Sequence, residues 1–156
     1  MSYDIAVEKF TDTYRELEPL YRQHYSEMLD RLKNEGVEDY SPYNPRLFEY
    51  GNACDGGWLL TYVVRHEGKV CGYSNVYITN DMHNGDLIAQ EDAIFILKEH
   101  RNGTNIGKTL IKFIIEDLRN RKIKRMLITT MTDLRVAPLM RRMGFKDIAT
   151  QMIYKF

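Results

Sequence analysis

Between Glu91 and Leu118 the sequence reads EDAIFILKEHRNGTNIGKTLIKFIIEDL, and this order of features leaves few folds open. Ala93 to Leu97 is an apolar, strand-like run, and Lys98 to Asn102 is a short polar turn. Gly103 and Gly107 follow, and then Ile106, Leu110, Ile111, Ile114, Ile115 and Leu118 recur at helical spacing. A strand, a glycine-bearing loop and a helix in that order build an anion site. The first helical N–H groups have no intrahelical partner, and the helix dipole adds partial positive charge there. Glycine has no Cβ, so a phosphate can approach the backbone closely. Arg101 and Lys108 add formal charge, and the pattern predicts a site for a phosphorylated ligand, with pyrophosphate the best match.

Two kinds of loop build such a site. Gly103-Thr104-Asn105-Ile106-Gly107-Lys108-Thr109 is one residue short of a P-loop, which needs four residues between its first Gly and the Gly-Lys-Thr. Lys98 to Arg101 separate the glycines from the strand, and no later strand ends in a clear magnesium-binding Asp. A P-loop-like nucleotide site is therefore the third-ranked alternative.

The chain has 156 residues, enough for one domain with a proper core, and one domain over 1–156 is expected. Its 22 basic and 22 acidic residues balance, so bulk charge gives no argument for a nucleic-acid or membrane partner. Cys54 and Cys71 have no metal-ligand spacing and form no disulfide framework, which fits reduced thiols in a cytoplasm. The N-terminal residues lack a signal-peptide pattern, and no 18-residue apolar stretch predicts a membrane span.

Tyr3 to Val7 is a weak first strand. Phe10, Tyr14, Leu17, Tyr21, Tyr25, Met28 and Leu32 mark an amphipathic helix, which Pro19 is expected to bend or divide and Gly36 to end. Tyr40 to Pro45 is a loop, and Arg46 to Asn52 a short second helix. Trp58 to Arg65 and Val70 to Thr79 form a hairpin around His66-Glu67-Gly68-Lys69. Leu87 to Leu97 is the central strand, and Met126 to Thr130 the strand after the long helix. Between them, Arg119 to Arg125 carries five basic residues in seven. These cations suit a helix C-terminus and no stacking aromatics interleave them, so a solvated helix end is expected. Asp133 is a candidate N-cap of a last helix with Leu134, Ala137, Met140 and Met143 on one face. Gly144 ends that helix, and Ile148 to Phe156 is the expected final strand.

These segments resemble the GNAT superfamily of N-acetyltransferases at three points over roughly residues 57 to 156. The strand, glycine loop and Ile106-Gly107-Lys108 helix start resemble that family's pyrophosphate loop, with Asn102 at the usual Arg/Gln position and Asn105 replacing a common Gly. The Glu67-Gly68-Lys69-Val70-Cys71-Gly72-Tyr73 hairpin resembles the one preceding the family's cofactor strand. Ala137 to Phe145, an Ala-x-x-x-x-Arg-x-Gly-Phe pattern in which Pro138 sits early, resembles its last helix. Pro138-Leu139 and Leu110-Ile111-Lys112-Phe113 look most like small phage-encoded and bacterial members.

The resemblance implies an α/β (α+β) fold: a mixed, mostly antiparallel sheet flanked by helices, with a splayed central strand leading to the pyrophosphate loop. It implies acetyl-CoA as co-substrate, no metal, and acetyl transfer to a primary amine by direct attack in a ternary complex. The backbone at Phe95, Ile96 and Leu97 would receive the pantetheine arm and the oxyanion, and Arg101, Asn102, Gly103, Thr104, Asn105, Ile106, Gly107 and Lys108 the pyrophosphate. The helical region after the first strand overhangs the acceptor pocket in that family, which makes Tyr40 and Tyr43 candidate lining residues. The acceptor, a small molecule or a protein amine, is not readable, and a homodimer is one assembly the resemblance allows.

A free lysine amine has a pKa of about 10.4, so a base must act directly or through water. Glu91 and Asp92 open the central strand, and alternation allows only one to face the pocket. Glu91 is the preferred candidate, with His83 an alternative. Cys71 lies mid-strand with no adjacent base, which argues against a covalent acetyl-enzyme. The family's thiolate-protonating Tyr corresponds to Met140, which cannot donate a proton, and Tyr154 or water is the candidate substitute. That substitution keeps a catalytically weak or inactive interaction module as the second alternative.

Overall fold

A computed structural model of the chain describes residues 2–131 and 136–156. Asp133 and Leu134, named above as helix cap and helix face, lie outside the described residues. Among those described, five strands form one sheet in the order β1 (Tyr3–Glu8), β2 (Leu59–His66), β3 (Lys69–Asn80), β4 (Leu87–Ile96) and β5 (Arg125–Leu127). The first three pairings are antiparallel and the last is parallel. The hairpin between β2 and β3 turns on Glu67 and Gly68, both at positive φ, which matches the twist of the flanking strands. Gly72 on β3 is needed where β4 comes close: a Cβ there would stand 2.4 Å from the Ile96 Cδ1.

Both faces of the sheet are covered. α1 (Phe10–Asn34) buries Phe10, Thr13, Leu17 and Leu20, steps of three and four that define one stripe. Leu17 and Leu20 pack on Val63, Tyr73 and Phe95. Pro19 sits inside this helix without dividing it, because the buried leucines on either side hold the turn against the sheet. α2 (Leu47–Asp55) adds Ala53 to Phe10 and Leu59. On the opposite face, α3 (Ile106–Asn120) buries Ile106, Leu110, Ile111, Ile114 and Leu118. Four of them join Tyr62, Val64, Val76, Ala89 and Ile96 in the main core. Each such side chain contributes roughly 1.5–3 kcal/mol on burial. Strand alternation supplies the two sides: Val63 and Phe95 face α1, while Tyr62, Val64 and Ile96 face α3.

The chain after α3 departs from expectation. α4 (Val136–Arg142) ends in the expected αL glycine, Gly144, at φ 102°. Residues 146–156 carry no strand, so the final strand expected over Ile148 to Phe156 is corrected to an exposed segment without regular secondary structure. Alternating apolar residues are compatible with a strand, but a strand also needs a hydrogen-bonded neighbour. Instead this segment is tied to the rest by a Lys155–Asp39 ion pair at 2.9 Å. At the end of α3, Arg119 pairs with Glu116 and Arg121 with Asp117 within one helical turn, while Arg125 of β5 pairs with Asp86 and Asp81 of the distant β3–β4 connection.

Candidate active site

β4 places the site. β5 pairs with it only at Ile88, Ala89 and Gln90, so from Glu91 onward the β5 side of β4 is an open edge. The Leu97 N–H donates to the Cys71 carbonyl at 2.8 Å, which sets the phase of the ladder. Phe95 and Leu97 therefore turn their backbone groups toward β3, while Ile94 and Ile96 turn theirs to the open edge. Of the three backbone positions expected to meet the cofactor, only Ile96 presents its N–H there, and Ile94 joins it. The Phe95 ring has a different role, forming part of the core beneath α1.

A bulge decides which carboxylate faces the α1 side. Asn75 pairs with Ala93 and Val76 with Glu91, so Asp92 is an extra residue with no partner on β3. The bulge breaks strict alternation, and Asp92 and Ala93 both line a cavity of about 500 Å³ between β3, β4, α1 and α2. The Tyr50 hydroxyl donates to Asp92 Oδ2 at 2.9 Å. Partial burial raises the Asp92 pKa above the usual carboxylate range, and the Tyr50 hydrogen bond opposes that rise. Tyr21, Tyr25, Tyr43, Tyr50, Tyr73 and Tyr77 form much of the wall. His24 stacks on Phe95 at 4.8 Å and shares a hydrogen bond of 2.7 Å with the Tyr73 hydroxyl. Burial lowers its pKa to about 4, so its imidazole is neutral near pH 7.

Glu91 does not line that cavity. Its carboxylate accepts a hydrogen bond from the Thr129 N–H at 3.4 Å, across the fork where β4 and the chain beyond β5 separate. Burial pushes its pKa up from 4.5 to about 7, with the nearby Asp92 adding to the rise. The folded state thus favours protonated Glu91. Its stabilising contribution is complete below pH about 4.3 and is lost as the pH rises through about 7. Glu91→Gln, neutral at every pH, should match the parent at pH 4 and exceed it by roughly 1–3 kcal/mol at pH 8, allowing for partial exposure. Denaturant titrations at both pH values check this; a stability difference independent of pH would refute it.

The loop beyond β4 begins with a 3₁₀ turn, Lys98–His100. Gly103 has φ 73° and Asn105 φ 56°, and helical Ile106 follows, so successive N–H groups form a concave nest. Thr104 steadies it: its Oγ1 donates to the His100 carbonyl at 2.6 Å and accepts the Ile106 N–H at 3.3 Å. The N–H groups of Gly107 and Lys108 have no hydrogen-bond partner among the described residues, and the Lys108 side chain is exposed. Asn102 is exposed at the loop's start.

Arg101 turns away from this nest. Its Nε donates to the Ile96 carbonyl at 2.6 Å and its guanidinium pairs with Glu27 of α1 at 2.7 Å, 5.0 Å from the Phe95 ring centroid. It brackets the end of β4 to α1, which leaves Lys108 as the formal charge on the first turn of α3. Tyr154 is 79% exposed, touches the Phe156 ring and is not among the cavity-lining residues. Met140 is buried in α4, and Cys71 is buried with its thiol pushed up to about 11, which makes it a poor nucleophile. His83 lies in the β3–β4 connection, where its N–H bonds Asp81, and Tyr40 is likewise outside the cavity lining.

A cavity with Asp92 as its one carboxylate free of a cationic partner among the described residues, an open strand edge and an anion nest at a helix start can hold a small acceptor beside a phosphate-bearing donor, the arrangement of a group-transfer site. The sequence model described as the Acetyltransferase (GNAT) family matches residues 11–145, and the chain belongs to that family. It is an acetyl-CoA-dependent N-acetyltransferase, and this membership removes the P-loop alternative. No curated protein sequence matches significantly. Among solved structures, the chain is similar to a ribosomal-protein-alanine N-acetyltransferase from Brucella melitensis biovar Abortus 2308, with 19% identity, a TM-score of 0.73, and coverage of 100% of this chain and 99% of that one. It is also similar to the aminoglycoside acetyltransferase AAC(6')-Iy bound to a bisubstrate analogue made from CoA and acetylneamine, at 17% identity, a TM-score of 0.73 and coverage of 100% and 99%. Glucosamine-6-phosphate N-acetyltransferase from Arabidopsis thaliana matches at 15% identity and a TM-score of 0.64, with coverage of 100% and 99%. At these identities the shared property is the fold.

Proposed function

We propose that this chain acetylates a primary amine by direct attack in a ternary complex. The acceptor occupies the tyrosine-lined cavity, and acetyl-CoA lies along the open edge of β4 with its pyrophosphate in the nest at the start of α3. The observation that carries this is continuity: cavity, open edge and nest follow one another between Asp92 and Lys108.

Asp92 accepts a proton from the acceptor ammonium, because of the two wall carboxylates it is the one on β4 beside the open strand edge, while Glu49 is paired with Arg46. The freed nitrogen lone pair attacks the thioester carbonyl, forming the C–N bond. The Ile96 N–H, on the open edge, is placed to donate to the developing oxyanion. The tetrahedral intermediate collapses, the C–S bond breaks and the thiolate leaves with the bonding pair, while the second proton of the attacking nitrogen is lost through water and goes to the thiolate, giving the neutral amide and CoA thiol. Thiolates leave readily, so buried Met140 at the family's Tyr position is no barrier, and exposed Tyr154 has no assigned step. Gly103, Thr104, Asn105, Ile106, Gly107 and Lys108 hold the pyrophosphate, with Asn102 at the rim, while Arg101 positions the end of β4. Glu91 pins the fork. The unit is one domain over residues 1–156. Unpaired Cys54 and Cys71 fit a cytoplasmic setting, and no helix among the described residues is long and apolar enough to cross a membrane. The exposed C-terminal apolar residues leave a homodimer open to test.

Titration calorimetry with acetyl-CoA, CoA and magnesium-ATP tests the placement. Micromolar binding of acetyl-CoA and CoA, with none of ATP, is expected. Absence of CoA binding would make the chain a scaffold without its cofactor site, and the search would turn to protein partners.

A further inference from the structure

We propose that the acceptor is a primary monoamine carried on a flat aromatic body. The proposal rests on the placement of acetyl transfer just described, and it follows from the charge and surface of the cavity.

Consider charge first. Two carboxylates reach the wall, Asp92 and Glu49. Glu49 is tied to Arg46, whose Nε donates to it at 2.9 Å. Asp92 has only the Tyr50 hydroxyl, with no cationic partner among the described residues. His24 carries no charge near neutral pH. The cavity therefore offers one slot for an ammonium. A polyamine or an aminoglycoside would bring several cations to a single uncompensated acid. An amino acid or a phosphorylated sugar would bring an anion beside Asp92, where the one wall arginine, Arg46, is already neutralised.

The surface decides the rest. Six tyrosines contribute to the wall, and they are braced against one another. Tyr21 meets Tyr73 edge-on at 4.6 Å, Tyr25 meets Tyr43 at 5.9 Å, and Tyr50 stacks on Tyr77 at 6.4 Å. Rings held this way present rigid apolar faces and edges, suited to stacking on another ring and to cation–π contact with the ammonium. Met28, Pro45 and Leu47 fill the gaps between them. About 500 Å³ accommodates a bicyclic amine together with the acetyl end of the cofactor. The buried Tyr21 and Tyr43 hydroxyls have no partner among the described residues and can meet one or two polar groups of an acceptor, but a chain bearing many hydroxyls or ammonium groups would leave most of them against tyrosine faces.

Thiol release from acetyl-CoA, measured on the full chain with 2-phenylethylamine, tryptamine, n-hexylamine, spermidine, neamine and phenylalanine, tests the class. The expected result is a kcat/KM for the two arylalkylamines at least tenfold above that for spermidine, neamine and phenylalanine. Tyr43→Leu, on the loop before α2, should raise KM for 2-phenylethylamine at least fivefold. It should raise KM for n-hexylamine by a clearly smaller factor and leave the Kd for acetyl-CoA, which binds outside this wall, unchanged. Tyr77→Leu, on β3, gives a second reading of the same ratio should the first variant fold poorly. Acetyl-CoA binding with a preference for spermidine, neamine or phenylalanine, or with no amine turned over, overturns the aromatic monoamine alone. Failure to bind acetyl-CoA overturns the cofactor placement, and this proposal with it.

Discussion

Asp92→Asn should lower kcat by about 10²–10³-fold while the Kd for acetyl-CoA stays unchanged. The substitution is nearly isosteric and falls on a bulged residue with no partner on β3, so the sheet has no reason to respond. The Tyr50 hydroxyl can still donate to the amide oxygen, so that contact survives. What is removed is the capacity to accept a proton and the negative charge that holds the ammonium, so KM for the acceptor should rise as well. The parent's rate should fall on the acid side as Asp92 protonates, and because burial raises its pKa, that limb lies above the range of a solvent-exposed carboxylate. Glu91→Gln should retain the acid limb and Asp92→Asn should abolish it. If the limb disappears with Glu91→Gln instead, the proton acceptor is Glu91, and Asp92 serves only to bind the ammonium. Stopped-flow thiol release across pH 5 to 9 gives the answer.

Gly107→Glu should weaken acetyl-CoA binding at least a hundredfold, about 2.7 kcal/mol. An added Cβ at Gly107 meets nothing within 4 Å, so the side chain can be built without disturbing the fold. It occupies the first turn of α3, where an acidic residue complements the helix dipole. The melting temperature should therefore hold or rise while binding collapses. That opposition separates a cofactor defect from a folding defect. Gly107→Ala is the control: a small side chain without charge should cost far less affinity. Calorimetry on the three proteins decides the matter, and equal affinity for Gly107→Glu and the parent would show that the pyrophosphate lies elsewhere.

Local pattern made much of this architecture readable before any coordinates. The 3.6-residue stripes of α1 and α3, the Glu67-Gly68 turn and the glycine loop each depend on residues close in sequence. What was not readable depends on pairs distant in sequence. The bulge at Asp92 is a property of the register between β3 and β4, and alternation along β4 alone says that one of Glu91 and Asp92 faces the pocket without saying which. Arg101 looks like a phosphate ligand until Glu27, 74 residues earlier, draws its guanidinium to α1. The tyrosines of the cavity come from α1, the loop before α2, α2 and β3, and only Tyr43 carried a local hint. A signal was present in Tyr21 and Tyr25 on one helix stripe, but a stripe of that kind reads equally well as core. The apolar alternation near the C-terminus indicated a strand, yet such alternation cannot supply the neighbour a strand needs.

The unpaired position on β4 also separates chemistry from architecture. Every other residue of that strand answers to a cross-strand neighbour, and replacing it disturbs packing on two sides. Position 92 answers only to the solvent-filled space before it and to one phenol. Exchange there for glutamate or histidine would change reach and proton affinity with little consequence for the sheet. Under the proposed function, a change at this one position would alter how the acceptor is held and deprotonated while the paired residues of β4 keep their cross-strand neighbours.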